Sequence, residues 1–166
     1  MTVFAGTGHR PPKIGGYSAS ARLRVSDFAD AVLAKFNPSL VISGMALGWD
    51  QALASAAFRR SIPFVAAVPF KGQESKWPEA SQNMYHFMLS KAQEVVYVSE
   101  PGFSAHKMQV RNEWMVDHSD YVLALWDGSS GGTMNCIRYA NSVGVTVMNV
   151  WRPFVEYQRA IVPAWL

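Results

Sequence analysis

A chain of 166 residues with 15 basic and 12 acidic side chains, a formal charge of +3 and an isoelectric point near 9.1 reads as one soluble domain over residues 1–166, long enough to bury roughly 70% of its unfolded surface. So small a basic excess suits acidic ligands without implying nucleic acid. No run approaches the roughly 20 apolar residues that span a bilayer, no basic segment followed by a long apolar run opens the chain, and the lone Cys136 cannot form an internal disulfide; no membrane insertion and a cytoplasmic location are expected.

In chain order, Val3 to Ala5 is a short apolar strand that leads into a loop, Gly6-Thr7-Gly8-His9-Arg10. From Ser20 to Phe36, apolar Phe28, Ala29, Val32, Leu33 and Phe36 recur with helical spacing, and Asn37-Pro38 ends the pattern. Leu40 to Ile42 is a second strand, which enters the loop Ser43 to Asp50 and then an alanine-rich helix to Arg60. A third strand, Phe64 to Val68, stops at Pro69. Ser81 to Lys91 reads as a helix, Val95 to Val98 as a strand, Lys107 to Ser119 as a helix, Tyr121 to Leu125 as a strand, Gly132 to Val143 as a helix and Val145 to Val150 as a strand. The aromatic, apolar tail from Trp151 is expected to pack onto its own domain.

Short, nearly all-apolar strands separated by amphipathic helices predict an α/β fold of three layers, a mostly parallel sheet with helices on both faces. Right-handed crossovers then put the strand-to-helix loops on one edge, where Gly6 to Arg10, Ser43 to Asp50, Pro69 to Trp77 and Asp127 to Thr133 converge. Strand order is not legible in the sequence.

The segment from Met108 to Asn135 points to a nucleotide site at that edge. Gly131-Gly132-Thr133 opens a helix, where unpaired backbone N–H groups and the helix dipole favour a phosphate and glycine permits close approach. Arg111 brings a planar fork of donors for an anion. Asn135 suits a ribose hydroxyl or a base edge, and Ser43, Gly44, Met45, Gly48 and Asp50 are candidates for the sugar or base. His9 and Arg10 either touch a phosphate or polarise the first loop. Trp49 and Trp77 serve as stacking platforms or as core, Trp126 as core. Cys136 is read as a small packed side chain. His86, His106 and His118 lack metal-ligand spacing, so no metal is expected.

Gly6-Thr7-Gly8-His9-Arg10, Ile42 to Asp50, Pro69-Phe70 with Gln73-Glu74 and Trp77, and Arg111-Asn112 through Asp120 together resemble the SLOG superfamily of Rossmann-like nucleotide-binding proteins, within it the YpsA-like family. A more distant resemblance links Met108, Arg111, Met115, Asp120, Ala124 and the following glycines and threonine to the LOG enzymes, which remove a base from nucleoside monophosphates; it implies that Arg111 matches their catalytic arginine. The LOG pattern carries a glutamate shortly after that threonine, whereas this chain has Met134, Asn135 and Cys136, and no carboxylate between Gly128 and Val155.

Breaking an N-glycosidic bond develops an oxocarbenium-like sugar that needs a nearby carboxylate. Asparagine cannot supply it. Asp50, Glu74, Glu113 and Asp127 are the remaining candidates, with Glu74 and then Asp50 preferred as catalytic acids; Asp50 could equally favour a helix start, Glu113 a solvated face and Asp127 a turn. Three functions follow in order: a sensor or regulatory module that binds a nucleotide or an ADP-ribose-like molecule; a nucleotide N-glycosidase; and single-stranded DNA handling, as in the DprA branch of the superfamily. Binding groups are Gly6, Thr7, Gly8, His9, Arg10, Ser43, Gly44, Met45, Gly48, Asp50, Arg111, Asn112, Asp127, Gly131, Gly132, Thr133 and Asn135. Monomer and homodimer both stay open.

Overall fold

The computed structural model describes residues 1–159. The apolar runs form six strands, β1 (Val3–Gly8), β2 (Leu40–Ser43), β3 (Phe64–Val68), β4 (Glu94–Tyr97), β5 (Tyr121–Leu125) and β6 (Thr146–Asn149). The periodic segments form the helices α1 (Ala19–Phe36), α2 (Trp49–Arg59), α3 (Glu79–Lys91), α4 (Ala105–Asp117), α5 (Gly132–Ser142) and α6 (Trp151–Gln158). Polar side chains set several helix ends: the Ser18 hydroxyl accepts from the Ala21 N–H at the start of α1, and Ser104 does the same for Lys107 at the start of α4. Asn37, in the left-handed region at φ 46°, ends α1 just before Pro38.

All six strands pair in parallel, in the order β4-β3-β2-β1-β5-β6. Neighbouring residues of one strand face opposite sides, and the two faces bury different helices. Phe4, Val41, Phe64 and Ala66 pack with Phe28 and Leu33 of α1, Leu53 of α2, Met88 of α3 and Phe154 of α6. Ala5, Ile42, Val65 and Ala67 pack with Met115 of α4, and Val122 packs with Cys136 and Ala140 of α5. Burial on both faces is why the central strands read as continuous apolar runs rather than alternating ones.

The chain changes sides after β4. α1, α2 and α3 connect strands that step outward from β1 on one face, and α4 then crosses under the sheet to deliver β5 on the other side of β1. β1 and β5 are therefore neighbours whose onward connections run apart, which opens a crevice at their carboxyl ends.

β1 is longer than expected. Gly6, Thr7 and Gly8 continue the strand instead of forming a loop, because β5 offers ladder partners through Gly8↔Leu125. The two glycines make room for packed side chains: a methyl on Gly6 would run into Leu53, and one on Gly8 would lie 2.5 to 2.8 Å from atoms of Trp49. The aromatic tail packs onto its own chain as far as it is described, with the Phe28 ring 5.2 Å from Phe154 and 5.5 Å from Tyr157; residues 160–166 lie outside the described residues. Among the described residues no helix is long and apolar enough to cross a membrane.

Gly8→Ala should destabilise the fold by about 1–3 kcal/mol through overpacking against Trp49. Urea unfolding followed by circular dichroism checks it, the expected result being a lower midpoint with an unchanged slope.

Candidate functional site

The crevice is closed at its floor by a contact between its two loops. His9, buried at the end of β1, points Nε2 at the β5–α5 loop, 3.0 Å from the Asp127 backbone N and 2.9 Å from Asp127 Oδ1. A neutral ring accepts from the first; a protonated ring donates to the second. The imidazole thus clamps the two loops together, with Trp151 edge-on to it at 5.7 Å.

Asp127 is occupied with its own loop. Its Oδ1 accepts from the Ser129 hydroxyl and from the Ser129 N–H at 2.9 Å, and Lys13 Nζ, hydrogen-bonded to the Ser129 hydroxyl, lies 3.9 Å from Oδ2. The Ser129 bonds, helped by His9, hold this carboxyl down at about 2. Trp126, expected in the core, is only half-buried and braces the same loop by donating from its indole N–H to Ser129 O at 2.7 Å.

That loop delivers Gly131 with φ 144° and ψ −165°, a conformation open essentially to glycine alone. α5 starts there with no side-chain cap. A methyl on Gly132 would meet nothing within 4 Å. The helix start is thus open on the Gly132 side, with Thr133 half-buried and Asn135 exposed on the same end. Behind this turn, the Asn112 amide donates to Gly132 O at 3.5 Å while its own oxygen accepts from Arg111 Nε at 3.0 Å.

Arg111 is the centre of a second half of the site. Only 4% exposed, it donates from Nη1 to Gly44 O at 2.6 Å and to Ala67 O at 3.4 Å. Gly44 allows this approach, since a methyl there would lie 2.5 Å from Nη1 and 2.9 Å from Asp50 Oδ2. The turn itself is built by Ser43, whose hydroxyl donates to Asp50 O at 2.7 Å and accepts from the Met45 N–H at 3.1 Å, with Met45 left-handed at φ 60°. Gly48, at φ 95°, presses against the His9 carbonyl and ties the turn to β1.

Asp50 was expected at a helix start or as an acid; it stands in the first turn of α2, buried to 8% exposure. Burial pushes its carboxyl up to about 6, against the pull of Arg111, the Ala46 N–H at 3.4 Å and Arg10. Burial likewise lowers Arg111 from its ordinary value, with Asp50 opposing. The two act on each other through space without forming an ion pair among the described residues.

The β3–α3 loop folds over this turn. Gln73 Nε2 donates to Gly44 O and to Tyr85 Oη, each at 3.3 Å, and burial pushes the Tyr85 hydroxyl up to about 12. Glu74 comes down beside it, its side chain 14% exposed, with Oε1 3.2 Å from His86 Nε2. Asp50 Oδ1 and Glu74 Oε2 are buried without a hydrogen-bond donor among the described residues.

Structure removes several alternatives. Trp49 is fully buried and donates to Leu123 O at 3.4 Å, and Trp77 packs edge-on against Tyr85 at 5.4 Å, so both are core rather than stacking platforms. Burial pushes the Cys136 thiol up to about 11, with the Thr7 hydrogen bond opposing, which keeps it protonated at neutral pH. Glu113, half-buried on α4, acts on Cys136 and Tyr139 only through the field. Gln73, Tyr85 and His86 are the partners that sequence reasoning left without a role; their spacing in the chain carries no signal, because a loop that doubles back over α3 creates their contacts. Among the described residues no group of three or more His, Cys, Asp and Glu side chains could hold a metal ion.

A parallel three-layer α/β sheet, its strand order reversing between β1 and β5 and its carboxyl edge lined by a glycine-capped helix start, defines a Rossmann-like domain. More narrowly, the chain belongs to the YspA SLOG family, whose model, YpsA, matches residues 35–142. That match runs from the end of α1 to the end of α5 and includes Gly44, Asp50, Gln73, Arg111 and Gly132. The SPbeta prophage-derived protein YoqJ of Bacillus subtilis strain 168 is 38% identical over 127 residues, 67% of this chain and 74% of that protein. The DNA processing protein A (DprA) of Streptococcus pneumoniae is similar in structure, with a TM-score of 0.66 at 17% identity over 97% of this chain, which spans 57% of that protein's length. DprA of Helicobacter pylori, for which a single-stranded DNA binding mode is described, gives 0.61 at 17% identity over 88% of this chain and 63% of that one.

The buried carboxyl of Asp50 makes stability depend on pH with a definite sign. Its folded-state value, about 6, exceeds the ordinary 3.8, so its contribution is most favourable below pH 3.8 and is lost as pH rises through 6. Asp50→Asn cannot titrate. The variant should gain on the wild type by about 5 °C or more in melting temperature above pH 6.5, and the gap should close towards pH 4, as differential scanning calorimetry across that range will read.

Proposed function

We propose that this chain binds a nucleotide or nucleotide-derived small molecule at the carboxyl edge of its sheet, as the ligand-sensing part of a regulatory module. The observation that carries this is the start of α5 beside the β1/β5 crevice, where a glycine-only backbone conformation, no side-chain cap and open space around Gly132 leave room at the positive end of the helix. Such a turn attracts an anion through its donors and its dipole. Lys13, held on the same loop, adds positive charge. Arg111 and Asn112 stand behind it and connect it to the Ser43 to Asp50 turn, where the sugar or base would lie. Buried as it is, Arg111 supports the phosphate turn through Asn112 and through its field.

A phosphorylated nucleoside should bind more tightly than the free nucleoside, and added salt should weaken the binding. Gly132→Val is a clean probe, because the added Cβ would have no protein atom within 4 Å and the side chain would grow where the ligand would lie. By calorimetry it should cost at least about tenfold in affinity, equivalent to one charge-assisted hydrogen bond of about 1.5 kcal/mol, with the melting curve unchanged. Normal affinity in a folded Gly132→Val protein would move the phosphate elsewhere.

One observation favours an N-glycosidase as a second reading. Glu74 is a loop carboxylate with one oxygen on His86 and the other buried without a donor, and α5 has no acid to offer in its place. If base is released, Glu74→Gln should keep nucleotide binding and lose about two or more orders of magnitude in rate, the scale of a positioned acid or base. Chromatography of free base from nucleoside mono-, di- and triphosphates and ADP-ribose decides it; no release from any of them removes the enzyme. Single-stranded DNA binding, described for the Helicobacter pylori protein, has less to support it, since 15 basic side chains against 12 acidic give only a small excess.

A further inference from the structure

The outer face of α1, α2 and α3 exposes large apolar side chains next to one another. Tyr17, Leu23, Phe58, Met84 and Phe87 are each between 42% and 62% exposed. Tyr17, Leu23 and Met84 line a groove of about 600 Å³ floored by the buried Ile14 and Met88. Phe87, one turn beyond Met84, meets Phe58 edge-on with ring centroids 6.1 Å apart. The patch is therefore continuous across three helices, and such a surface marks a contact with another protein.

α3 gives this patch an internal symmetry. Ala80, Met84, Phe87 and Lys91, all exposed, recur at helical spacing and form one stripe along a helix of 13 residues, roughly 20 Å long. The stripe is acidic at one end, where Glu79 precedes Ala80. It is basic at the other, where the Lys91 ammonium lies 5.4 Å from the Phe87 ring centroid and 5.9 Å from that of Phe58. Neither Glu79 nor Lys91 forms an ion pair among the described residues. A helix that is acidic at its start, apolar in the middle and basic at its end complements an antiparallel copy of itself. A two-fold axis midway between Met84 and Phe87 sets Met84 opposite Phe87 of the second copy, and Ala80, with Glu79 beside it, opposite Lys91. Antiparallel helix dipoles agree with the same arrangement. A partner of uniform charge would match one end of the stripe and oppose the other.

We propose that this face is a homodimer interface in which two α3 helices pack antiparallel, Met84 and Phe87 of each copy covering Phe87 and Met84 of the other at the edge of the groove, with Glu79 pairing with Lys91 of the second copy at both ends. The contact goes beyond the nucleotide reading and does not depend on it. It does bear on the carboxyl edge: Pro78 and Ser81 line the groove at the start of α3, and His86 on the same helix holds Glu74, so a second copy on α3 braces the β3–α3 loop.

Sedimentation equilibrium of the full chain, from micromolar to hundreds of micromolar, tests this. The wild type should form a dimer within that range, and Met84→Asp should stay monomeric, because it puts two unpaired carboxylates at the centre of the contact. Glu79→Lys and Lys91→Glu should each weaken the dimer about fivefold or more, the scale of two surface ion pairs turned repulsive, and the double reversal should return it to within about twofold of the wild type. Within one chain the two residues stand more than three turns apart and cannot rescue each other. Both reversals also oppose the helix dipole, so an effect confined to the monomer would make the double variant the worst of the three. A wild type that stays monomeric throughout overturns the proposal, as does a dimer that Met84→Asp leaves intact. A dimer that the double reversal fails to restore overturns it too, since the antiparallel register is then wrong. Circular dichroism melts check that each variant is folded. If Met84→Asp is not, Phe87→Ser takes its place, and the charge reversals decide in any case because both residues are exposed.

Discussion

A buried arginine holds the carboxyl edge together. Arg111 spends Nη1 on carbonyls of the β2 turn and of β3, and its Nε on Asn112, so one side chain fixes α4 against two strands and, through Asn112, against the first residue of α5. A cation so little exposed is tolerable only with acceptors close by and a counter-charge within reach, which Asp50 supplies. Losing Arg111 would leave the buried Asp50 carboxylate without its nearest cation, whereas neutralising Asp50 relieves the desolvation that holds its carboxyl up. The charge of Asp50 and the position of Arg111 are thus coupled through the β2 turn.

The glycines divide into two kinds by what surrounds them. At Gly8, Gly44 and Gly48 a methyl would strike Trp49, Arg111 and the His9 carbonyl in turn, so the missing side chain is filled by the protein itself. At Gly131 and Gly132 a methyl would touch nothing. Only the second kind leaves backbone accessible to something else. A sequence motif cannot separate these cases, because both read as glycine in a loop after a strand; the separation comes from which helices the sheet brings across the edge.

This is also where legibility ended. The strands and helices were readable because parallel strands buried on both faces give unbroken apolar runs, and α1 announced itself by its period and by Asn37-Pro38. The end of β1 was not, since Gly6-Thr7-Gly8 carries loop propensity and becomes strand only because β5 lies alongside it. Nor was the strand order, which depends on α4 passing to the other face. Arg111, Gly44, Asp50 and Glu74 were each visible as candidates. Their burial and mutual contact were not: Arg111 meets Gly44 across 67 positions of the chain, and His86 reaches Glu74 through a fold of the β3–α3 loop.

The assembled edge has a polarity that follows from these contacts. On the α5 side it carries the positive end of a helix without a side-chain cap; on the β2 side lie the buried Asp50 carboxyl, with Arg111 and Arg10 acting on it, and Glu74 against His86. Adjacent residues, Arg111 and Asn112, join the two sides, the first bonded to Gly44 O and the second to Gly132 O. An anion approaching this edge would therefore meet the positive helix end on one side and carboxylates on the other. Reversal would set an anion against Asp50 and Glu74 in a region too poorly hydrated to screen it. For the nucleotide proposed here, that polarity would set the phosphate at α5 and leave the base to the loops above Gly44.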